Sequence, residues 1–352
     1  MTVDLDDGQA VRGHDPGGML AAIGELGSQC RQGYSNGAAA SGLPDLADVR
    51  GVVCCGMGGS AVAGDVLRSV FRDRLGVPVE VNRSPELPEY AGPHSLVLIS
   101  SYSGNTSETL AAFREATKRG CRSIVVTSGG TIADEAAEAG VPVVSVPGGI
   151  QPRAAVGWLA FSALGALEAA GLLPPLADDV TEAAGEVDAR AAASGPDAPV
   201  GDDPAKRLAE AIGGRIPVLW GAEGIAATAA ARWKTQFNEN GKVPAWWASM
   251  SELDHNEVVG WTRPFGRSHT VIALRHEAED PEIAARFPLS LEIASDSGAG
   301  THEVWATGRS ALARLMSLIA LGDFVSAYVA IRKSVDPTPV DVIQRLKAAL
   351  AS

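Results

Sequence analysis

The chain has 352 residues and a formal net charge of −13, and 46% of its residues are hydrophobic. That is enough for about two packed domains at roughly 150 residues each, and it excludes wholesale disorder. So acidic a chain is unsuited to general binding of nucleic acid or an anionic membrane, so any anion must be held by a small local site. Aromatic residues amount to only 5%, which favours tight helix–sheet packing over an aromatic-lined binding surface.

Four cysteines (Cys30, Cys54, Cys55 and Cys121) show no C-x-x-C spacing and read as reduced core residues of a cytoplasmic protein. The start, MTVDLDDGQAVRGHD, has no basic stretch followed by an apolar one, so no secretory leader is expected. No uninterrupted apolar run approaches the ~18 residues of a membrane span.

In chain order, residues 1–50 read as a helical cap, with one amphipathic helix from about Pro16 to Tyr34. Residues 51–190 alternate apolar runs with helical patterns. The runs are VRGVVCCG, VPVEVN, SLVLISS, RSIVVTS and VPVVSVP; the patterns between them include SAVAGDVLRSVF, TSETLAAFREATKRG and TIADEAAEAG. Near-continuous Val/Ile/Leu strands alternating with helices predict a parallel sheet covered on both faces. A helical block from Arg153 to about Arg190 leads to AAASGPDAPVGDDP, residues 191–204, the best linker candidate.

The strand–Gly–helix pattern then restarts at IPVLWG (216–221), and residues 205–334 read as a second, divergent α/β half. SHTVIALR (268–275), FPLSLEIAS (287–295) and HEVWATG (302–308) are expected to be strands, followed by a helix from about Ser310 to Lys333. Residues 335–352 read as a turn and a short closing helix.

Two glycine- and hydroxyl-rich turns stand out in the first half. GMGGS (56–60) lies between a strand and a helix, where Gly58, Gly59 and Ser60 let backbone N–H groups approach an anion. Alone it is also what a tight turn that binds nothing looks like. It is neither G-x-G-x-x-G nor a Walker loop. SYSGNTSETL is more telling. Ser101, Ser103 and Thr106 bring hydroxyl donors to the start of a helix, whose first N–H groups have no intrahelical partner. A simple cap needs one hydroxyl. Together the two turns, about 40 residues apart, resemble a sugar isomerase (SIS) domain. The resemblance implies a fold of two flavodoxin-like, parallel-sheet, three-layer αβα subdomains that bind phosphorylated sugars.

The segment NENGKVPAWWASMSELDHNEVVGW (238–261) offers a carboxylate, Glu239, and an imidazole, His255. Moving a proton between C1 and C2 of a sugar phosphate suits a carboxylate base, and opening the ring suits a histidine. Taken singly, Glu239 also fits an ordinary helix end before Asn240-Gly241, and His255 a helix-cap partner. The whole pattern, from GMGGS to DPTPVDVIQRLK, is similar to the bifunctional phosphoglucose/phosphomannose isomerase family. That resemblance implies Glu239 as the proton-transfer base and His255 as a ring-opening residue shared across a homodimer interface. It implies Arg153, in IQPRAAVGW, as the stabiliser of enediolate charge, Lys347 as an active-site lysine, and Thr338 as a possible pocket residue.

Neither cofactor nor metal is expected. The six histidines form no H-x-H or H-x-x-x-H pair, and an enediolate path needs no redox group. The expected partner is a phosphorylated hexose. The competing readings are a non-catalytic sugar-phosphate-binding regulator and an aminosugar isomerase; Glu239 and His255 speak against the first, the lack of a glutaminase-type start against the second. SYSGNT has no copy in the second half, where IALRHEAED stands in its place, so one phosphate cradle per chain is expected.

Overall fold

A computed structural model describes residues 2–262 and 264–350, the side chain of Leu350 excepted. The chain divides into two compact units. The first comprises Glu25–Asp188 with Thr307–Ser317; the second comprises the residues up to Gly24, Ala189–Ala306, and those from Leu318 onward. The expected cap is therefore not one piece. Its helical pattern breaks at Glu25 into Met19–Gly24 and Leu26–Ala38, which belong to different units.

The first unit holds five parallel strands: β1 (Gly51–Cys55), β2 (Val79–Asn82), β3 (Ser95–Ser101), β4 (Arg122–Thr127) and β5 (Val143–Ser145). Their order is β2-β1-β3-β4-β5, so the direction of winding reverses between β1 and β3. Every residue of β1 and β3 is buried, which is why both read as unbroken apolar runs rather than alternating ones. The Cys54 and Cys55 thiols lie in this core without a disulfide, and burial pushes both up in pKa, far from the thiolate a nucleophile needs.

The second unit holds β6 (Ile216–Ala222), β7 (Trp246–Met250), β8 (His269–Arg275) and β9 (Gly300–Trp305), all parallel, in the order β7-β6-β8-β9. This matches the first four positions of the other sheet, with the reversal again beside the first strand of the unit. The stretch 287–295 is a helix, Arg286–Asp296, and not the expected strand. Its alternating Phe287, Leu289, Leu291 and Ile293 imitate a period of two. The buried set is Phe287, Ser290 and Ala294, which has helical spacing, while Leu289 and Ile293 are exposed. β7 gives no strand signal in the sequence because it is an edge strand with Trp246 and Trp247 exposed, so it lacks a buried run.

The helix Ala311–Arg332 is long and apolar enough to cross a membrane, yet 94% of its apolar window is buried inside the protein. It is an interior helix whose apolar run is interrupted by Arg314, Ser317, Gly322, Asp323 and Ser326. Its start is anchored by Glu182, whose carboxylate accepts the backbone N–H groups of Arg309 (2.7 Å) and Ser310 (3.0 Å). Burial pushes this carboxyl up, but those N–H groups outweigh it and hold it at about 2. A carboxylate depressed in the folded state stabilises the protein above its unfolded pKa of ~4.3 and loses that contribution as pH falls toward about 2. Glu182→Gln is therefore expected to lower the melting temperature by about 2–4 °C at pH 7, the cost of a lost cap. The difference from the parent should shrink as melting is followed from pH 5 to pH 2; an undiminished gap at the lowest pH contradicts the assignment.

Candidate active site

At the carboxyl ends of β1 and β3, where the first sheet reverses, the two turns singled out in the sequence lie side by side, the usual ligand crevice of an open parallel sheet. The Ser60 hydroxyl accepts the Tyr102 N–H at 3.1 Å, tying GMGGS to SYSGNT and leaving its own proton to donate. Gly58 adopts a φ of +52°, which favours glycine. Gly59 lies against the backbone of Pro152 and Arg153, where a Cβ would come within 3.1 Å of the Arg153 Cα. That close approach brings Arg153, on the short turn Pro152–Ala154, beside the glycine turn.

The hydroxyls divide into two groups. Ser103 is exposed, and its Oγ accepts the Asn105 N–H at 3.3 Å. The Asn105 Oδ1 accepts the N–H and Oγ1–H of Thr131 (3.0 and 2.9 Å), fixing the next helix start. The buried hydroxyls of Ser100, Ser101 and Thr109 have no hydrogen-bond partner among the described residues. Thr106 is the N-cap of the helix Ser107–Lys118, yet its side chain makes no cap hydrogen bond. Buried polar groups are rarely left so. Thr106 thus starts a helix whose first N–H groups have no side-chain cap, five residues after the buried, unpartnered Ser101 hydroxyl. Thr109 and Ser100 carry no signal of their own in the sequence; their place in an amphipathic first turn and a buried strand makes them look like packing residues.

Arg153 is 2% exposed and its Nη1 reaches the Gln151 side chain at 3.5 Å. Tyr102 steadies the approach to this turn, its hydroxyl accepting the Ile150 N–H at 3.2 Å.

The remaining candidates lie in the second unit. Glu239 is the last residue of the helix Ile225–Glu239 and is half-buried. Next to it, Lys242 donates to the carbonyls of Glu239, Pro337 and Pro339, so the turn that carries Thr338 is held at this helix end. Thr338 packs against Gly17, where any Cβ would overlap its side chain. Lys347 lies on the last helix, Asp341–Leu350, and is exposed.

His255 ends the short turn Glu252–His255 that follows β7 and is exposed, its ring without a hydrogen bond among the described residues. Its neighbours are pinned. Leu253 is buried, and the Asp254 carboxylate accepts the Ser290 hydroxyl at 2.8 Å and pairs with Arg286 at 3.2 Å. The turn is therefore firm while the imidazole points to solvent.

At the carboxyl end of β8, the counterpart of SYSGNT is filled by the chain itself. The Arg275 guanidinium stacks on Phe287 (3.9 Å) and binds the Glu279 carboxylate at 2.8 Å, which also accepts the His276 N–H at 2.9 Å. A side-chain carboxylate takes the N–H and cation that an anionic ligand would need.

One feature runs against the composition. Beside β7 is a pocket of about 390 Å³ lined by Trp246, Trp247, Trp261, Phe265, Glu257 and His269, among others. Four of the chain's 18 Trp, Tyr and Phe residues meet at this pocket, a local aromatic surface that the 5% average does not reveal. Glu257 is committed, accepting the indole N–H groups of Trp220 (2.9 Å) and Trp261 (3.2 Å).

Two family models match, the SIS domain over residues 45–147 and the bacterial phospho-glucose isomerase C-terminal SIS domain over residues 201–350. A bifunctional phosphoglucose/phosphomannose isomerase from Caldicellulosiruptor bescii is 36% identical over 95% of this chain and 99% of its own length. The chain belongs to the bifunctional phosphoglucose/phosphomannose isomerase family. A second member, from Aquifex aeolicus, is 34% identical over 87% of this chain and 92% of its own. In fold, the chain is similar to the crystal structure of a hypothetical protein from Thermus thermophilus, with a TM-score of 0.76 at 18% identity over 97% of this chain and 93% of that one. The family assignment accounts for both halves of the chain, residues 45–147 matching the SIS domain and residues 201–350 the C-terminal SIS domain.

Proposed function

We propose that the protein is a cytoplasmic aldose–ketose isomerase that interconverts glucose 6-phosphate and mannose 6-phosphate with fructose 6-phosphate. The observation that carries this is the turn pair at the β1/β3 reversal, with three unpartnered buried hydroxyls and an uncapped helix start, in a chain of this family. Ser101 and Thr106 hold the phosphate, aided by Ser60, Ser103 and the N–H groups of Gly58 and Gly59. Glu239 moves the proton between C1 and C2 through a cis-enediolate, and Arg153 stabilises the charge that develops on oxygen. His255 and Lys347 serve ring opening.

The working form is a homodimer in which His255 serves the partner's site. Two observations support it. His255 is exposed on a firm turn, and Trp246 (53% exposed), Val259 (74%) and Phe265 (71%) lie on neighbouring segments, an apolar surface of the kind a partner covers.

The test is a coupled assay on purified protein with EDTA present, offering glucose 6-phosphate and mannose 6-phosphate separately and detecting fructose 6-phosphate. Turnover of both is expected. Turnover of one narrows the substrate range. Binding without turnover of either overturns the enzymatic assignment in favour of a sugar-phosphate sensor.

A further inference from the structure

Lys242 has a backbone that its side chain does not favour. Its φ is +53°, in the left-handed region where glycine is at ease and a lysine is not. A glycine is one residue away, at Gly241, but that position has no positive φ; a Cβ there would come within 2.8 Å of the Phe237 carbonyl. If backbone conformation alone decided the residue, position 242 would suit glycine as well. The ammonium supplies the reason for lysine. It meets three backbone carbonyls: Glu239 at 2.5 Å, Pro337 at 2.9 Å and Pro339 at 2.5 Å. An ammonium has three N–H bonds and no acceptor, so it can serve all three carbonyls at once. The first carbonyl is the last of the helix Ile225–Glu239, where a cation is also favoured by the helix dipole. The other two belong to the turn that leads within two residues to the helix Asp341–Leu350, which bears Lys347.

We infer that Lys242 is a positioning residue, a clamp that fixes the closing helix and its Lys347 relative to the helix end bearing Glu239. This rests on the isomerase assignment above, in which Glu239 transfers the proton and Lys347 serves ring opening. These three bonds go to main chain, so the clamp sets where two reacting side chains are rooted and leaves their chemistry alone. A Gly or Met at 242 keeps Glu239 and Lys347 present but frees the turn that relates them.

Lys242→Met is expected to lower kcat by about 10²-fold, the scale of an ångström-sized misplacement, with KM for fructose 6-phosphate moved no more than about threefold. Lys242→Gly suits the observed φ and is expected to lose as much while melting close to the parent, which separates positioning from folding. Lys242→Arg, which can still donate to carbonyls, recovers part of the loss. The decisive measurement is a double-variant cycle with Lys347→Met. If the clamp acts through the closing helix, adding Lys347→Met to Lys242→Met costs much less than it does in the parent. Losses that multiply, or full activity in both Lys242→Met and Lys242→Gly, overturn the clamp. Hydrogen–deuterium exchange over residues 335–343 gives a readout independent of turnover. Faster exchange in Lys242→Met supports the clamp and unchanged exchange overturns it. If the parent turns over neither hexose phosphate, the isomerase assignment fails, and exchange alone decides whether Lys242 holds the turn.

Discussion

Glu239→Gln is expected to bind fructose 6-phosphate within a few-fold of the parent and to lose about 10³-fold or more in turnover. Glutamine keeps the shape and a carbonyl oxygen but cannot accept a proton, and a positioned general base contributes about 10²–10⁴-fold. Because the change is isosteric at a half-buried helix end, melting should hold. The check is kcat from the coupled assay beside a Kd from calorimetry. A kcat that falls with Kd unchanged marks a group used only in the transition state. Near-normal turnover removes Glu239 from the base role. Loss of proton exchange at C2, followed in deuterated water, should track the loss of turnover.

The second large effect is expected at Arg153. Replacing it with methionine keeps an unbranched apolar stem but removes the cation where enediolate charge develops, for a loss of about 10²–10³-fold in kcat. Arg153 is 2% exposed, so truncation also disturbs packing beside Gly59. Arg153→Lys serves as the control, since it keeps a charge and loses only the planar fork. Activity ordered Arg, Lys, Met, with melting equal between the last two, marks an electrostatic role. Equal activity of the Lys and Met variants points to packing.

The parts of the fold legible in the sequence are those that bury whole strands. β1 and β3 are unbroken apolar runs because helices cover both faces of a parallel sheet. The edge strand β7 is not legible, because tryptophans on an unpaired edge break that pattern. The helix Arg286–Asp296 reads as a strand because its apolar residues alternate while its buried ones do not. Among the site residues, Ser101 and Thr106 are visible as an excess of hydroxyls before a helix. Arg153, Lys347 and Thr338 come from family resemblance, since an arginine near a helix start and a lysine near a chain end have no pattern of their own. Lys242 is beyond reach from sequence. Its contacts are with carbonyls, which every residue has, and its positive φ is a property of the fold.

Thr106 begins a helix without capping it, so the helix Ser107–Lys118 relies on something else to complete its first turn. A phosphomonoester that accepts those N–H groups would become the missing cap. Substrate would then act on the first unit as a reversible structural part, with occupancy at 100 times Kd adding about 2.7 kcal/mol to its resistance to unfolding.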